Sequence, residues 1–325
     1  MQFNDQQALT FVQGQAFKIN QRVYEARYPD YDFARLIYVD TSGPEWSPGL
    51  ITYTSDMTGQ AQWQAGGAKD VPLADVSQDR MLKSHHLAAI GYEWNIEEVN
   101  TVLNMPGASL PDRRARAARL AYQKFMYDLT VKGNAEKGLT GLINYTGVTA
   151  TNAPADGTAG STLWVDANGV GQKTPAQIVR DINLALMGVY LGTNEIELAD
   201  TLLLPFEAYN YIASTPYSAT TTETILSFVQ RTNMFTQQTG QALTIRTIGA
   251  LSTGASGGTT GRLVAYRNGE EYVKLHLPLP HRFLNVYQSG PLQWQVPGIF
   301  RTGGVEVLAT KAIRFIDGVS LPPPA

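Results

Sequence analysis

Between residues 50 and 64 the chain alternates. Ile51, Tyr53, Met57, Ala61 and Trp63 share one parity, and Thr52, Thr54, Thr58, Gln60, Gln62 and Gln64 share the other. A period of two predicts a strand with one buried face. A Gly-rich tip follows, Ala65-Gly66-Gly67-Ala68-Lys69-Asp70. A second run from Met81 to Trp94 then returns with Leu82, His86, Ala88, Ile90 and Tyr92 on one side. Together the runs predict a long hairpin. An arm of about 14 residues at ~3.3 Å each reaches about 46 Å, far beyond a usual strand of about 5–6 residues. Such a hairpin is not stable alone in water, so it lies on its own body or on a neighbour.

The next segment changes period. From Pro111 to Lys132, Ala118, Ala121, Tyr122, Phe125, Met126 and Leu129 follow the i, i+3, i+4 spacing of a helix about 33 Å long. Ser109 with Asp112 resembles a capping box, and Gly133-Asn134 is a stop signal. Residues 145–173 form a loop rich in Gly, Thr and Ala around an isolated Trp164. Thr174-Pro175-Ala176-Gln177 opens another helix running to about Leu191. A strand (201–204), a helix (205–212), a helix near 222–231 and a strand (243–248) come next, a succession that suggests a sheet covered by helices. From Arg262 the chain is mostly β, with strands expected at 263–266, 273–277, 305–308 and 312–316. Residues 1–46 read as an extended arm with scattered aromatics and one short strand, Leu36 to Val39. The fold class is α+β.

Composition narrows the function. The 325 residues carry 25 Lys and Arg against 28 Asp and Glu, a net charge of −3, which excludes a globally basic nucleic-acid or membrane binder. Charged residues are 16%, against about 25% in average soluble proteins, which fits a chain that buries much of its exterior against copies of itself and also fits some secreted proteins. There is no cysteine, so disulfides, thiolate metal sites and cysteine nucleophiles are excluded. Met1 to Thr10 has no signal-peptide pattern, and no apolar run approaches the ~20 residues of a membrane span.

Candidate chemistry is sparse. Gly254-Ala255-Ser256-Gly257-Gly258 fits the nucleophile-elbow spacing, but small residues replace the strand and helix that motif needs, so it reads as a loop. His85 and His86, adjacent in a strand run, point to opposite faces and share no metal. His276 and His281 show no ligand spacing, and no metal or cofactor is expected. Lys173-Thr174 lacks the phosphate-loop spacing and reads as a helix cap, and Glu97-Glu98 suit a helix start. Arg113, Arg114, Arg116 and Arg119 crowd the first half of the long helix. They read either as a solvated face pairing with neighbours or as a weak, salt-sensitive contact with packaged nucleic acid.

The order of parts resembles the HK97-like major capsid proteins of tailed bacteriophages, with their N-arm, E-loop, spine helix and A-domain. The phrases that carry the likeness are Val23-Tyr24-Glu25-Ala26-Arg27-Tyr28-Pro29, Ala68-Lys69-Asp70-Val71-Pro72, Gly138-Leu139-Thr140-Gly141-Leu142, Arg301-Thr302-Gly303-Gly304-Val305 and Asp317-Gly318. The resemblance implies an arm at 1–46, an E-loop hairpin at 47–94, a P-domain from 95–172 and 290–325, and an A-domain at 173–289. It implies a non-enzymatic shell of hexamers and pentamers around double-stranded DNA, located in the virion and assembled in a host bacterial cytoplasm. The hairpin tip (Gly66, Gly67, Lys69, Asp70) would lie over a neighbouring subunit. Implied partners are further copies of the chain, a separate scaffolding protein, a portal and, as an option, a cement protein. No membrane is implied. The arm is short, so no cleaved scaffolding region is expected, and no acceptor marks Lys69 for cross-linking. Rival readings are an encapsulin-like nanocompartment shell, a phage tail or connector protein, and a serine hydrolase using Ser256.

Overall fold

The computed structural model describes residues 31–59, 61–63, 73–98, 110–148 and 150–322. The chain enters through a 3₁₀ turn at Phe33–Arg35 into strand β1 (Tyr38–Asp40). Strands β2 (Gly49–Thr58) and β3 (Asp75–Ser84) pair antiparallel along their whole length, from Gly49 opposite Ser84 to Thr58 opposite Asp75. Strands β4 (His86–Ala89) and β5 (Tyr92–Asn95) follow. The return strand expected over 81–94 is therefore three strands in three different sheets. The paired arm is 10 residues long, roughly 34 Å. The cause is a break in alternation. His85 and His86 are both half-buried, so the parity flips between them. Leu82 faces out, whereas Ala88, Ile90 and Tyr92 are partly covered.

Helix α1 (Leu110–Lys132) realises the long helical period. It buries Ala118, Met126 and Leu129, while Phe125 of the expected apolar face stays exposed. Gly133 stops it in the left-handed region, with φ of 75°. A Cβ there would stand 2.6 Å from the amide nitrogen of Gly141, so only glycine fits the stop. Ser109 of the expected capping box lies outside the described residues.

Short strands β6 (Gly133–Asn134), β7 (Leu139–Thr140) and β8 (Ala150–Asn152) lead to α2 (Pro175–Gly192). This helix opens on the reciprocal Thr174–Gln177 cap that its sequence signals. Then come β9 (Thr201–Leu204), α3 (Phe206–Ser214), α4 (Ile225–Thr232), α5 (Met234–Thr239) and β10 (Thr244–Thr247). The last part holds β11 (Arg262–Tyr266), β12 (Val273–His276), β13 (Leu279–Phe283), β14 (Tyr287–Gly290) and β15 (Gln293–Val296). It ends with β16 (Gly298–Thr302), β17 (Gly304–Val307) and β18 (Ile313–Asp317). The apolar pattern does not announce α5, β8 or β13 to β16. Their short segments are too irregular to hold a period.

A mixed sheet in the order β10-β9-β11-β18-β8 lies at the centre. β9 runs parallel to β10 and antiparallel to β11. Alternate residues feed two cores. Leu203, Val264, Tyr266, Ile313 and Phe315 join Met126 and Leu129 of α1 and the apolar residues of β12 and β17. Leu202, Leu204, Leu263, Ala265 and Ile316 join Ile178, Ile182, Leu186 and Val189 of α2 and the buried residues of α3 to α5. Strands covered on both faces read as continuous apolar runs, which is how Thr201 to Leu204 and Leu263 to Tyr266 look in the sequence. The strands also tie together distant segments. β18 pairs with β11, and β12 pairs with both β1 and β17.

Candidate assembly surface

The pairing of β2 with β3 sorts the hairpin into two faces, because opposed residues share a side. One face holds the pairs Ile51–Leu82, Tyr53–Arg80, Ser55–Gln78 and Met57–Val76. The other holds Leu50–Lys83, Thr52–Met81, Thr54–Asp79 and Thr58–Asp75. The alternation predicts that the first face is buried. Within this chain it is open: Ile51 is 45% exposed, Val76 53%, Leu82 64%, Tyr53 68% and Met57 80%. The hairpin instead rests on the root of its polar face, where Thr52, Thr54, Met81 and Lys83 are half-buried. Trp63 and Leu73, flanking the tip, are exposed as well. An apolar strip of this length is costly to leave in water and marks a contact surface.

Beneath the root sits a cluster of buried charge. Thr52 donates to Glu306 Oε1 at 3.3 Å, and Glu306 Oε2 lies 2.7 Å from Nε2 of His276. The other ring nitrogen of His276 faces Asp40 at 3.5 Å, and Lys274 reaches the same Asp40 oxygen at 3.5 Å. Burial pushes the Glu306 carboxyl up, but the hydrogen bond with His276 and the nearby Lys274 and Lys83 outweigh it and hold its pKa low. His85, where β3 gives way to β4, has its ring centroid 6.2 Å from that of His276. Burial depresses its pKa, and His276, Arg301 and His86 add to the depression against a hydrogen bond with Ser47. A Cβ on Gly303 would come within 2.7 Å of the His85 ring, so this glycine keeps the root closed.

The helix arginines separate. Arg114 is fastened to both carboxylate oxygens of Glu98, at 3.1 and 2.8 Å, and to the carbonyl of Glu93. Arg119 is exposed with its guanidinium 5.9 Å from the Phe283 ring. Arg113 and Arg116 are exposed. Glu98 therefore serves as an ion-pair partner at a helix start. Gly66, Gly67, Lys69 and Asp70 lie outside the described residues.

The other sequence candidates hold structure together. Ser256 accepts from Arg262 at 3.0 Å and donates to Asp317 at 3.1 Å. Arg262 also binds Asp317 at 2.6 Å and the carbonyl of Ile143 at 2.7 Å. Burial raises the Asp317 pKa, and the Arg262 and Ser256 bonds outweigh it and bring it down. His281 stacks on Tyr122 with 4.9 Å between ring centroids. The expectation for His85 and His86 needs correction. β3 ends at Ser84, so the two are not consecutive residues of one regular strand. Among the described residues no cluster of three or more His, Asp or Glu could hold a metal.

Sequence reasoning misses one site. The Lys173 side chain is wholly buried and pairs with the equally buried Asp181 at 2.6 Å. Asp181 also accepts from Trp164 Nε1 at 3.0 Å and pairs with Arg180 at 2.8 Å. A signal is present in the sequence: Asp181 falls on the Ile178–Ile182–Ala185 stripe of α2, where a charge needs a buried partner.

Comparisons place this geometry among known proteins. The capsid of Myoviridae phage XM1 superposes with a TM-score of 0.76 at 16% identity, covering 94% of this chain and 98% of that one. The capsid of the empty GTA particle gives 0.58 at 11% identity, covering 94% and 96%. A chain of Microbacterium phage Oxtober96 gives 0.58 at 13%, covering 98% and 100%. Identities this low show a shared fold. The comparison with curated proteins returned no match. No helix among the described residues is long and apolar enough to cross a membrane. The family model described as "Major capsid protein" matches residues 59–319, most of the chain, from the hairpin to the last strand of the central sheet. With an uncovered apolar hairpin on a doubly packed sheet, and that match along most of its length, this chain belongs to the major capsid protein family.

Proposed function

We propose that the chain builds an icosahedral shell of hexamers and pentamers around double-stranded DNA, in which each hairpin covers a neighbouring subunit. The observation that carries this is the outward apolar face of β2 and β3, Ile51, Tyr53, Met57, Val76 and Leu82. A second copy supplies the cover that the chain itself does not. Each contact is modest, and closure of the shell multiplies them through effective concentration. The division that goes with this reading is an arm at 1–46, a hairpin at 47–94, a P-domain from 95–172 and 290–325, and an A-domain at 173–289. The shared strands mean that the last two interleave. The role is mechanical and not enzymatic. Supporting it, Ser256 spends its hydroxyl on Arg262 and Asp317. A separate scaffolding protein and a portal complete assembly in a bacterial host, with packaged DNA touched weakly through Arg116 and Arg119.

Negative-stain electron microscopy with size-exclusion chromatography tests the reading. Closed shells, or rings of five and six, are the expected outcome. A homogeneous monomer or dimer that persists under crowding would overturn it, and an enzyme cargo in place of DNA would make the shell a nanocompartment.

A further inference from the structure

A cavity of about 320 Å³ opens where the arm, α1 and the central sheet meet, lined by Asp32, Arg35, Tyr127, Tyr209, Arg246 and Thr247 among others. It lies at the carboxyl end of β10, the outer strand of the central sheet, which runs parallel to β9. Tyr209 comes from α3, the helix that follows β9. The carboxyl ends of adjacent parallel strands are where open sheets with helices hold their ligands. Arg246 is half-buried, and its Nε is buried with no acceptor among the described residues. A buried guanidinium N–H normally has a partner, because leaving it unpaired forfeits the hydrogen bond it had with water. The one carboxylate on the lining, Asp32, is engaged by Arg35 at 2.6 Å. With Asp32, Arg35 and Arg246 ionised, the lining carries a net charge of +1. Tyr127, Tyr209, Thr247 and Arg246 all contribute to the lining, and a set of hydroxyl and guanidinium donors suits a tetrahedral anion with several oxygens better than a two-oxygen carboxylate.

We propose that this cavity binds a phosphate group, with the Arg246 guanidinium as its anchoring donor. Its lining shares no residue with the hairpin surface. Free phosphate and a nucleic-acid backbone offer the same chemistry, and the test separates them.

Isothermal titration of the full-length protein with inorganic phosphate, at constant ionic strength made up with chloride, should give saturable binding with a Kd of about a millimolar or tighter. Arg246→Gln should weaken it at least tenfold, and Arg246→Lys should fall between, with both variants checked for unchanged circular dichroism. Phosphate binding that survives Arg246→Gln, no saturation by about 10 mM in the wild type, or acetate binding as tightly as phosphate would each overturn the proposal. A duplex oligonucleotide without terminal phosphates is the second arm. If it displaces phosphate, the natural source is the DNA backbone, and if it does not, the source is free phosphate. Both results uphold the site.

Discussion

The central sheet and the β2–β3 hairpin are both β-structure, yet they bury their side chains in opposite ways. In β9, every residue from Thr201 to Leu204 is buried, because α2 to α5 cover one face and α1 with β12 and β17 cover the other. In the hairpin no residue is fully buried where burial is described, and the apolar face looks outward. The sheet is a finished object within one chain. On the proposed reading, the hairpin is half of an object whose other half lies on another copy. Apolar alternation therefore tells that a face must be covered, and it is silent on which molecule does the covering.

The contrast breaks most severely at the buried ion pair under the sheet. Asp181→Ala takes from the wholly buried Lys173 its 2.6 Å partner and leaves it only Asp156 at 3.4 Å, and should destabilise the subunit by about 3 kcal/mol, the low end for breaking a buried pair. Urea unfolding followed by tryptophan fluorescence reads this, since Trp164 bonds to the same aspartate. Replacing both partners with apolar residues, Lys173→Met with Asp181→Leu, should recover part of the loss, since Trp164 Nε1 still lacks its acceptor. No recovery would mean that the charges do more than neutralise each other.

A paired substitution sharpens the contrast. Leu203→Ala removes a wholly buried side chain and should cost about 2–5 kcal/mol of subunit stability. Tyr53→Ser with Met57→Ser should shift unfolding by no more than about 0.5 kcal/mol while abolishing shells in electron micrographs. Intact shells from the hairpin variant would show that another surface carries assembly.

Acid should act on the junction between the two regions. Burial depresses the pKa values of His85, at the hairpin root, and of His281, against α1. The unfolded chain binds these protons more readily than the folded one. Their contribution to stability is complete above about pH 6.5 and is lost as pH falls below that value towards the depressed ones. The low pKa values of Glu306 and Asp317 add a loss in the same direction only further down, below the ordinary carboxylate range. The urea midpoint should therefore fall between pH 7 and pH 5, less steeply in His85→Gln. Equal slopes in the two proteins would remove His85 from the account.

The smallest effect concerns α1. Arg116→Gln should leave unfolding and shell formation unchanged and lower the salt dependence of DNA retention by about one unit of slope if that arginine meets a phosphate. An unchanged slope assigns it to solvent.

Much of the fold is legible in the amino-acid sequence. The 3.6 period with its glycine stop marks α1 to within a residue, the Thr174–Gln177 cap marks the start of α2, and the apolar run marks β9. These signals are local, because capping, periodicity and the left-handed glycine act over one or two turns. The ordered phrases, from Val23–Pro29 to Asp317–Gly318, point to the family that the match over 59–319 shows. Contacts between distant segments are not legible in this way. The parity flip at His85 and His86, the pairing of Lys173 with Asp181 and the unpaired Nε of Arg246 arise where separate segments meet. So does the outward turn of Ile51, Tyr53 and Met57, since no period along one strand records what the rest of the chain packs against. Local signals along the chain mark α1, α2, β9 and the other strongly patterned elements, and which of their faces are apolar. The tertiary structure decided which of those faces close on this chain and which stay open for another, because covering a face is a property of everything that packs around it.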